Sequence, residues 1–284
     1  MDVLVKTLLA ALLAIVATAL LAMEGYYWYG AYSLPKHLPL PPHEYSADAH
    51  TLLWSDLGGR GEIRIRRFSS VGIPLTELGH FAQCRFDWTT PIDDNPACRY
   101  ATDETALDLA AADIAFLQLA RADRRLGPNL KYGRQAGSSR PWPARLPSVK
   151  LAVASRLSRE WPEGRILDSI LENADFGRKS MGLEQAAQTY FGVSAARLTI
   201  AETAALVVLS SGPAYYDPAC HPDAFRLRYL RLMLDNGYRV NLRDPDADLL
   251  RMQRGECGPL YRFEALDAMT APSPAKQGFC ERPD

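Results

Sequence analysis

The sequence predicts a mainly α-helical domain, with one small β-hairpin, preceded by a single transmembrane helix. Three observations carry this. First, Val3 to Met23 reads VLVKTLLAALLAIVATALLAM, with Lys6 as its one charge; about 20 apolar residues in a helix cross the hydrocarbon core of a bilayer. Second, most of the later segments repeat apolar residues at helical spacing and stop at Gly or Gly-Pro. Third, only Glu62 to Arg66 alternates polar and apolar as a strand does. With 48% hydrophobic residues there is apolar material for a sizeable core. The formal net charge of -1 gives no global field that would attract nucleic acid.

The apolar run is followed at once by Tyr26, Tyr27, Trp28 and Tyr29. Such rings prefer the headgroup layer, so the segment reads as a retained anchor with an aromatic belt over residues 1–30. A cleaved signal peptide, with Ala17 and Ala19 as its A-x-A site, is the competing reading. It fits less well because the apolar run continues past that site. Lys6 alone sets the orientation, with the short N-terminus cytoplasmic and the domain on the extracytoplasmic side.

Residues 31–50 hold Pro35, Pro39, Pro41 and Pro42, a stiff and extended juxtamembrane linker. The domain proper reads as 51–240. It opens with LLW and EIRIRRF around Asp56-Leu57-Gly58-Gly59, the expected hairpin. Helices are expected over Ala106–Arg125, Val149–Leu157, Arg165–Asn173 and Leu183–Phe191. A further helix opens on Thr199-Ile200-Ala201-Glu202, a capping box, and ends at Gly212-Pro213. The last opens with Pro222 in its first turn and ends at Gly237. Residues 241–284 read as an irregular tail.

Five cysteines follow the anchor. Cys84 and Cys98 flank a turn-rich stretch, and Cys257 with Cys280 could pin the tail. An odd number leaves one thiol, assigned here to Cys220. Five unpaired cysteines is the alternative at equal weight. The five histidines are scattered, so no metal site and no cofactor is expected.

Between Ile166 and Gly237 the chain reads ILDSILENADFG, then GLEQAAQTYFGVSAARLTIAETAALVVLSSGPAYYDP, then PDAFRLRYLRLMLDNG. This order of motifs resembles the C-terminal half of the peptidoglycan glycosyltransferase domain, glycosyltransferase family 51. The resemblance implies a lysozyme-like fold and a protein of cell-wall biogenesis bound to the bacterial inner membrane, its domain periplasmic. The family polymerises lipid II and releases undecaprenyl pyrophosphate. Its base is a Glu in an E-D-x-x-F motif, and a second Glu in R-K-x-x-E assists near the pyrophosphate.

The chain departs from that chemistry. Counting back from Ile166, the second Glu falls at Lys150, which reverses the charge. The Q-Q-L motif survives only as Gln118-Leu119-Ala120-Arg121. The E-D motif has no match; Glu77 and Asp87 lie in about the right stretch. In the fourth motif Ile170-Leu171-Glu172 stands for Y-L-N, and Glu163 replaces its Lys. Arg226 aligns with the last motif's arginine. Glu184 and Glu202 read as structural groups near helix starts.

From Arg121 to Lys150 eight cations face one acid, Asp123. This local charge of roughly +7 suits a solvated loop or an anion site for pyrophosphate or headgroups. The expected ligand contacts are Gln118, Arg121, Arg124, Lys150 and Arg226. Three functions stay open: a degenerate pseudoenzyme that binds lipid-linked precursor or another cell-wall protein, a divergent active glycosyltransferase, and a structural module without ligand.

Overall fold

Helix α1 (Asp2–Ala31) follows from a long apolar run rich in Leu and Ala, both good helix formers. From Leu4 it is long and apolar enough to cross a membrane, and its most apolar stretch buries nothing against the protein. The computed structural model describes residues 2–73, 75, 76, 79, 101–122, 146–238 and 252. The remaining helices are α2 (Ala47–Asp56), α3 (Thr102–Ala122), α4 (Leu146–Glu160), α5 (Glu163–Asn173), α6 (Leu183–Phe191), α7 (Ile200–Ser211), α8 (Pro213–Tyr216) and α9 (Pro222–Asp235). No strand occurs among the described residues; one isolated bridge joins Asp175 and Met181. By its internal contacts the chain divides into two units, Met1–Glu44 with Gly59–Ile170 and Tyr45–Gly58 with Leu171–Asp284.

The first unit is built around α4, which buries Leu146, Val149, Ala152, Val153 and Leu157. Both α1 and α3 pack on it. Only the last turns of α1 take part: Tyr27 and Gly30 are buried, while Tyr26, Trp28 and Tyr29 remain exposed. At Gly30 the two helices come so close that a Cβ would lie 2.0 Å from the Ser148 carbonyl oxygen. Serines on α4 hold the backbone of segment 63–69 at Phe68. Ser158 Oγ accepts from the Phe68 N–H at 3.0 Å, and Ser155 Oγ donates to the Phe68 carbonyl at 3.1 Å. The Pro-rich stretch is held to this unit as well. Arg156 donates to the carbonyls of Pro35 and Lys36, and Arg165 to those of Pro41 and His43.

The expected hairpin is not formed. Leu52, Leu53 and Trp54 lie in α2, where all three are buried along with Ala49. Ser46 caps this helix by accepting the Ala49 N–H. Three successive buried residues match a helix face folded into a core, not an alternating strand. The EIRIRRF stretch forms no strand either; α4 serines bond the Phe68 backbone where a partner strand was expected.

In the second unit α7 is central, with Glu202 through Leu209 buried without a break. Thr199 and Glu202 form the expected capping box. Helices α2, α6, α8 and α9 pack around α7. The end of α2 is locked to α9 where Arg228 donates twice to Asp56, at 2.7 and 3.1 Å, while Ser211 donates to the other Asp56 oxygen. Cys220, expected to be the leftover thiol, is disulfide-bonded. Counting odd cysteines says one is spare but carries no information about which. The other four cysteines and residues 253–284 lie outside the described residues.

Candidate functional site

The packed pair α3 and α4 carries most of the described residues to which the sequence assigned function. Lys150 stands near the start of α4, and its ammonium is ion-paired with the Asp108 carboxylate on α3. Lys150 is half-buried and Asp108 exposed. An ammonium has donors only, so position 150 offers a cation where the resemblance asks for a carboxylate. Gln118 is a half-buried residue of α3, ten positions beyond Asp108. At the helical rise this is about 15 Å, so Gln118 does not join the ion pair. The Arg121 backbone belongs to α3, three residues beyond Gln118. Its side chain lies outside the described residues, as do Glu77, Asp87, Arg124 and the cations from 125 to 145. Arg226 is an exposed residue of α9, in the other unit.

A second charged cluster caps the same helix pair, and the sequence reading missed it. Arg66 Nε donates to Asp103 Oδ2 at 2.6 Å, and its Nη2 reaches Asp103 Oδ1 and Glu104 Oε1 at 3.2 and 2.9 Å. The guanidinium also lies 5.2 Å from the centre of the Phe68 ring. Burial pushes the Asp103 carboxyl up, but the hydrogen bonds and charge of Arg66 outweigh it and hold it below the usual carboxylate range. Arg66 is raised in turn, by the hydrogen bond to Asp103 against the opposing effect of burial. The acids of α3, Asp103 and Asp108 among them, are visible in the sequence. Their partners, Arg66 and Lys150, lie too far along the chain for any spacing rule.

The second unit holds an acidic group at α5 and α6. The Tyr45 hydroxyl donates to Glu172 Oε2 at 2.8 Å and accepts from the Glu184 backbone amide. Burial and then the Glu172 carboxylate push the Tyr45 hydroxyl far above its ordinary value, so it stays a neutral donor. Glu184 Oε2 accepts from the Ala195 N–H at 2.9 Å, and Glu202 is committed to its cap. Both carboxylates therefore have the structural roles read from the sequence. Arg178, in the turn after α5, makes a two-pronged contact with buried Asp217 at 2.8 and 3.1 Å and lies 4.7 Å from the centre of the Tyr190 ring.

The family model described as Transglycosylase matches residues 147–235, from the start of α4 to the end of α9. The chain carries a glycosyltransferase family 51-like domain. Its relatives include penicillin-binding protein 1A of Mycobacterium tuberculosis, 34% identical over 28% of this chain and 10% of that protein. Penicillin-binding protein 1F of Bacillus subtilis is 30% identical over 31% of this chain and 13% of that protein. A biosynthetic peptidoglycan transglycosylase of Acinetobacter baumannii is 35% identical over 28% of this chain and 34% of that protein. The chain thus matches about a third or less of the length of each of these relatives. The match begins at Pro147, so it includes Lys150, whereas its partner Asp108 precedes it, as do Gln118 and Arg121.

Proposed function

We propose that this is a membrane-anchored, catalytically degenerate relative of the peptidoglycan glycosyltransferases, binding a lipid-linked cell-wall precursor or another cell-wall protein without polymerising glycan. The observation that carries the reading is the Lys150–Asp108 ion pair. Where the family places an assisting Glu, this chain presents an ammonium already engaged by a neighbouring helix. The apolar α1 supports the anchor. The disulfide at Cys220 favours an oxidising compartment, and with Lys6 on the short N-terminal side it supports a periplasmic domain. Gln118 and Arg121, three residues apart on α3, and Arg124 after them would meet the ligand's anionic headgroup. Lys150 and Arg226 are secondary contacts in this reading, Lys150 because its charge is shared with Asp108.

The test is a polymerisation assay with lipid II on the detergent-extracted full-length protein, run beside a binding titration. Saturable binding with no polymer is expected. Restoring the family residue by Lys150→Glu should leave polymerisation absent, since it places a second carboxylate beside Asp108 and supplies no base. Polymer from the wild type would establish a divergent active enzyme, with Glu77 or Asp87 as the base to examine. Neither binding nor polymer would leave an interaction module.

A further inference from the structure

We propose that the cavity between the end of α4 and the start of α5 is a docking site for the phosphate of an anionic lipid headgroup, separate from the α3–α4 residues discussed above. The inference rests on α1 crossing the bilayer and not on any glycosyltransferase activity. The cavity measures about 260 Å³ and lies wholly within the first unit. Arg67, Ser158, Arg159, Glu160, Trp161 and Glu163 are among its lining residues.

Depth places this cavity at the membrane surface. About 20 residues of α1 fill the hydrocarbon core, and at 1.5 Å per residue Tyr27 then stands roughly 6 Å beyond its edge, in the headgroup layer. Tyr27 turns away from the exposed Tyr26, Trp28 and Tyr29 and is buried against the domain. There its hydroxyl accepts from Arg159 Nη2 at 3.3 Å. The same arginine lines the cavity, so the cavity shares the level of the aromatic belt.

The donors suit a phosphate. Arg159 is fixed by its Nε to the Ser155 carbonyl at 2.9 Å and by Nη2 to Ser155 Oγ at 3.0 Å. This orients the guanidinium in advance and leaves Nη1 without a protein partner among the described residues. Arg67 is exposed and makes no hydrogen bond or ion pair among the described residues. Two carboxylates also line the cavity. Glu160 is neutralised by Arg156 at 2.7 Å, which leaves two arginines to the one carboxylate of Glu163. The Arg67 guanidinium and Nη1 of Arg159 can donate to phosphate oxygens, and the lining of the cavity is mostly polar, as a headgroup site requires.

The experiment uses full-length protein in non-ionic detergent, with bound lipid counted by native mass spectrometry. The probes are phosphatidylglycerol and inorganic phosphate. One phosphatidylglycerol should be retained by the wild type. Arg67→Gln/Arg159→Gln should weaken retention at least tenfold, and Arg67→Gln alone about threefold. The single variant removes no hydrogen bond or ion pair among the described residues, so loss of folding does not explain its effect. Equal retention by all three proteins overturns the site, and displacement of the lipid by millimolar inorganic phosphate reassigns it to free phosphate. Alkaline extraction of membranes tests the anchor independently. A chain that stays in the membrane, yet whose lipid retention ignores both arginines, refutes the site and leaves the anchor standing.

Discussion

Replacing Gly30 with alanine should loosen the join between the anchor and the first unit. The added Cβ would sit 2.0 Å from the Ser148 carbonyl oxygen, 2.3 Å from its carbonyl carbon and 2.8 Å from the Val149 nitrogen. All three are backbone atoms, so no side chain can swing aside. Ordinary contact begins near 3.4 Å, so α1 must move from α4 by roughly 1.4 Å at this point. A gap of 0.5 to 1 Å already forfeits about a quarter to a half of the contact attraction, and overpacking of this kind costs about 3 kcal/mol. Alanine's better helix propensity returns about 1 kcal/mol, which leaves a net loss of about 2 kcal/mol. For a unit of this size that lowers the melting temperature by about 4–8 °C. The assay is thermal unfolding of detergent-solubilised protein followed by tryptophan fluorescence. Gly25→Ala is the control, because a Cβ there meets nothing within 4 Å and should hold or raise stability. A Gly30→Ala protein as stable as Gly25→Ala would refute the close packing of α1 on α4.

Three further outcomes are expected. The Asp103 carboxyl is lowered on folding, so the stability it contributes is present above its unfolded value, about 3.9, and is lost as pH falls through the folded value. The difference in melting temperature between wild type and Asp103→Asn should therefore be constant above about pH 5 and shrink below about pH 4; since Arg66 is half exposed, about 1–2 kcal/mol is at stake. Arg178→Ala strands the buried Asp217 carboxylate and should cost about 3 kcal/mol in chemical denaturation, with Arg178→Lys falling between it and the wild type. Tyr45→Phe removes the donor to Glu172 and the acceptor for the Glu184 amide; a loss of about 1–2 kcal/mol is expected by the same measurement.

Periodicity and capping made the helices legible. Thr199 with Glu202, Pro222 in the first turn of its helix and the stops at Gly192 and Gly212 are local signals, and the structure matches them to within a residue or two. The hairpin failed because LLW is a short apolar run, for which periodicity cannot separate a strand from a buried helix face. Ser46, six residues upstream of Leu52, was the unread cap. The candidate site was less legible for a different reason. Which cation meets which acid depends on how helices pack, and Lys150 with Asp108 or Arg66 with Asp103 has no mark in the order of residues. The docked Pro-rich stretch is a similar case. Its composition indicates stiffness, whereas Arg156 and Arg165, more than a hundred residues away, hold its carbonyls.

The pattern of what matches the family has a physical reading. Gly182, at φ +85°, lies where any Cβ would meet the Glu172 carbonyl oxygen at 2.7 Å, so the G of G-L-E is needed for the chain to leave its turn. Glu184, the E of that motif, accepts the Ala195 amide. The Tyr190 hydroxyl donates to the Phe176 carbonyl at 2.7 Å and thereby ties Y-F-G to the turn before it. Thr199 and Glu202 close the first turn of α7. Each of these residues has a folding role that stands whether or not any sugar is ever transferred. Position 150 is different: among the described residues no backbone amide there bonds to its side chain, and the chain carries a lysine paired with Asp108. A sequence selected only to keep this scaffold would retain the first set and be free to lose the second. The resemblance over residues 147–235 is therefore evidence of fold and is neutral on activity, and the decision rests on the lipid II assay.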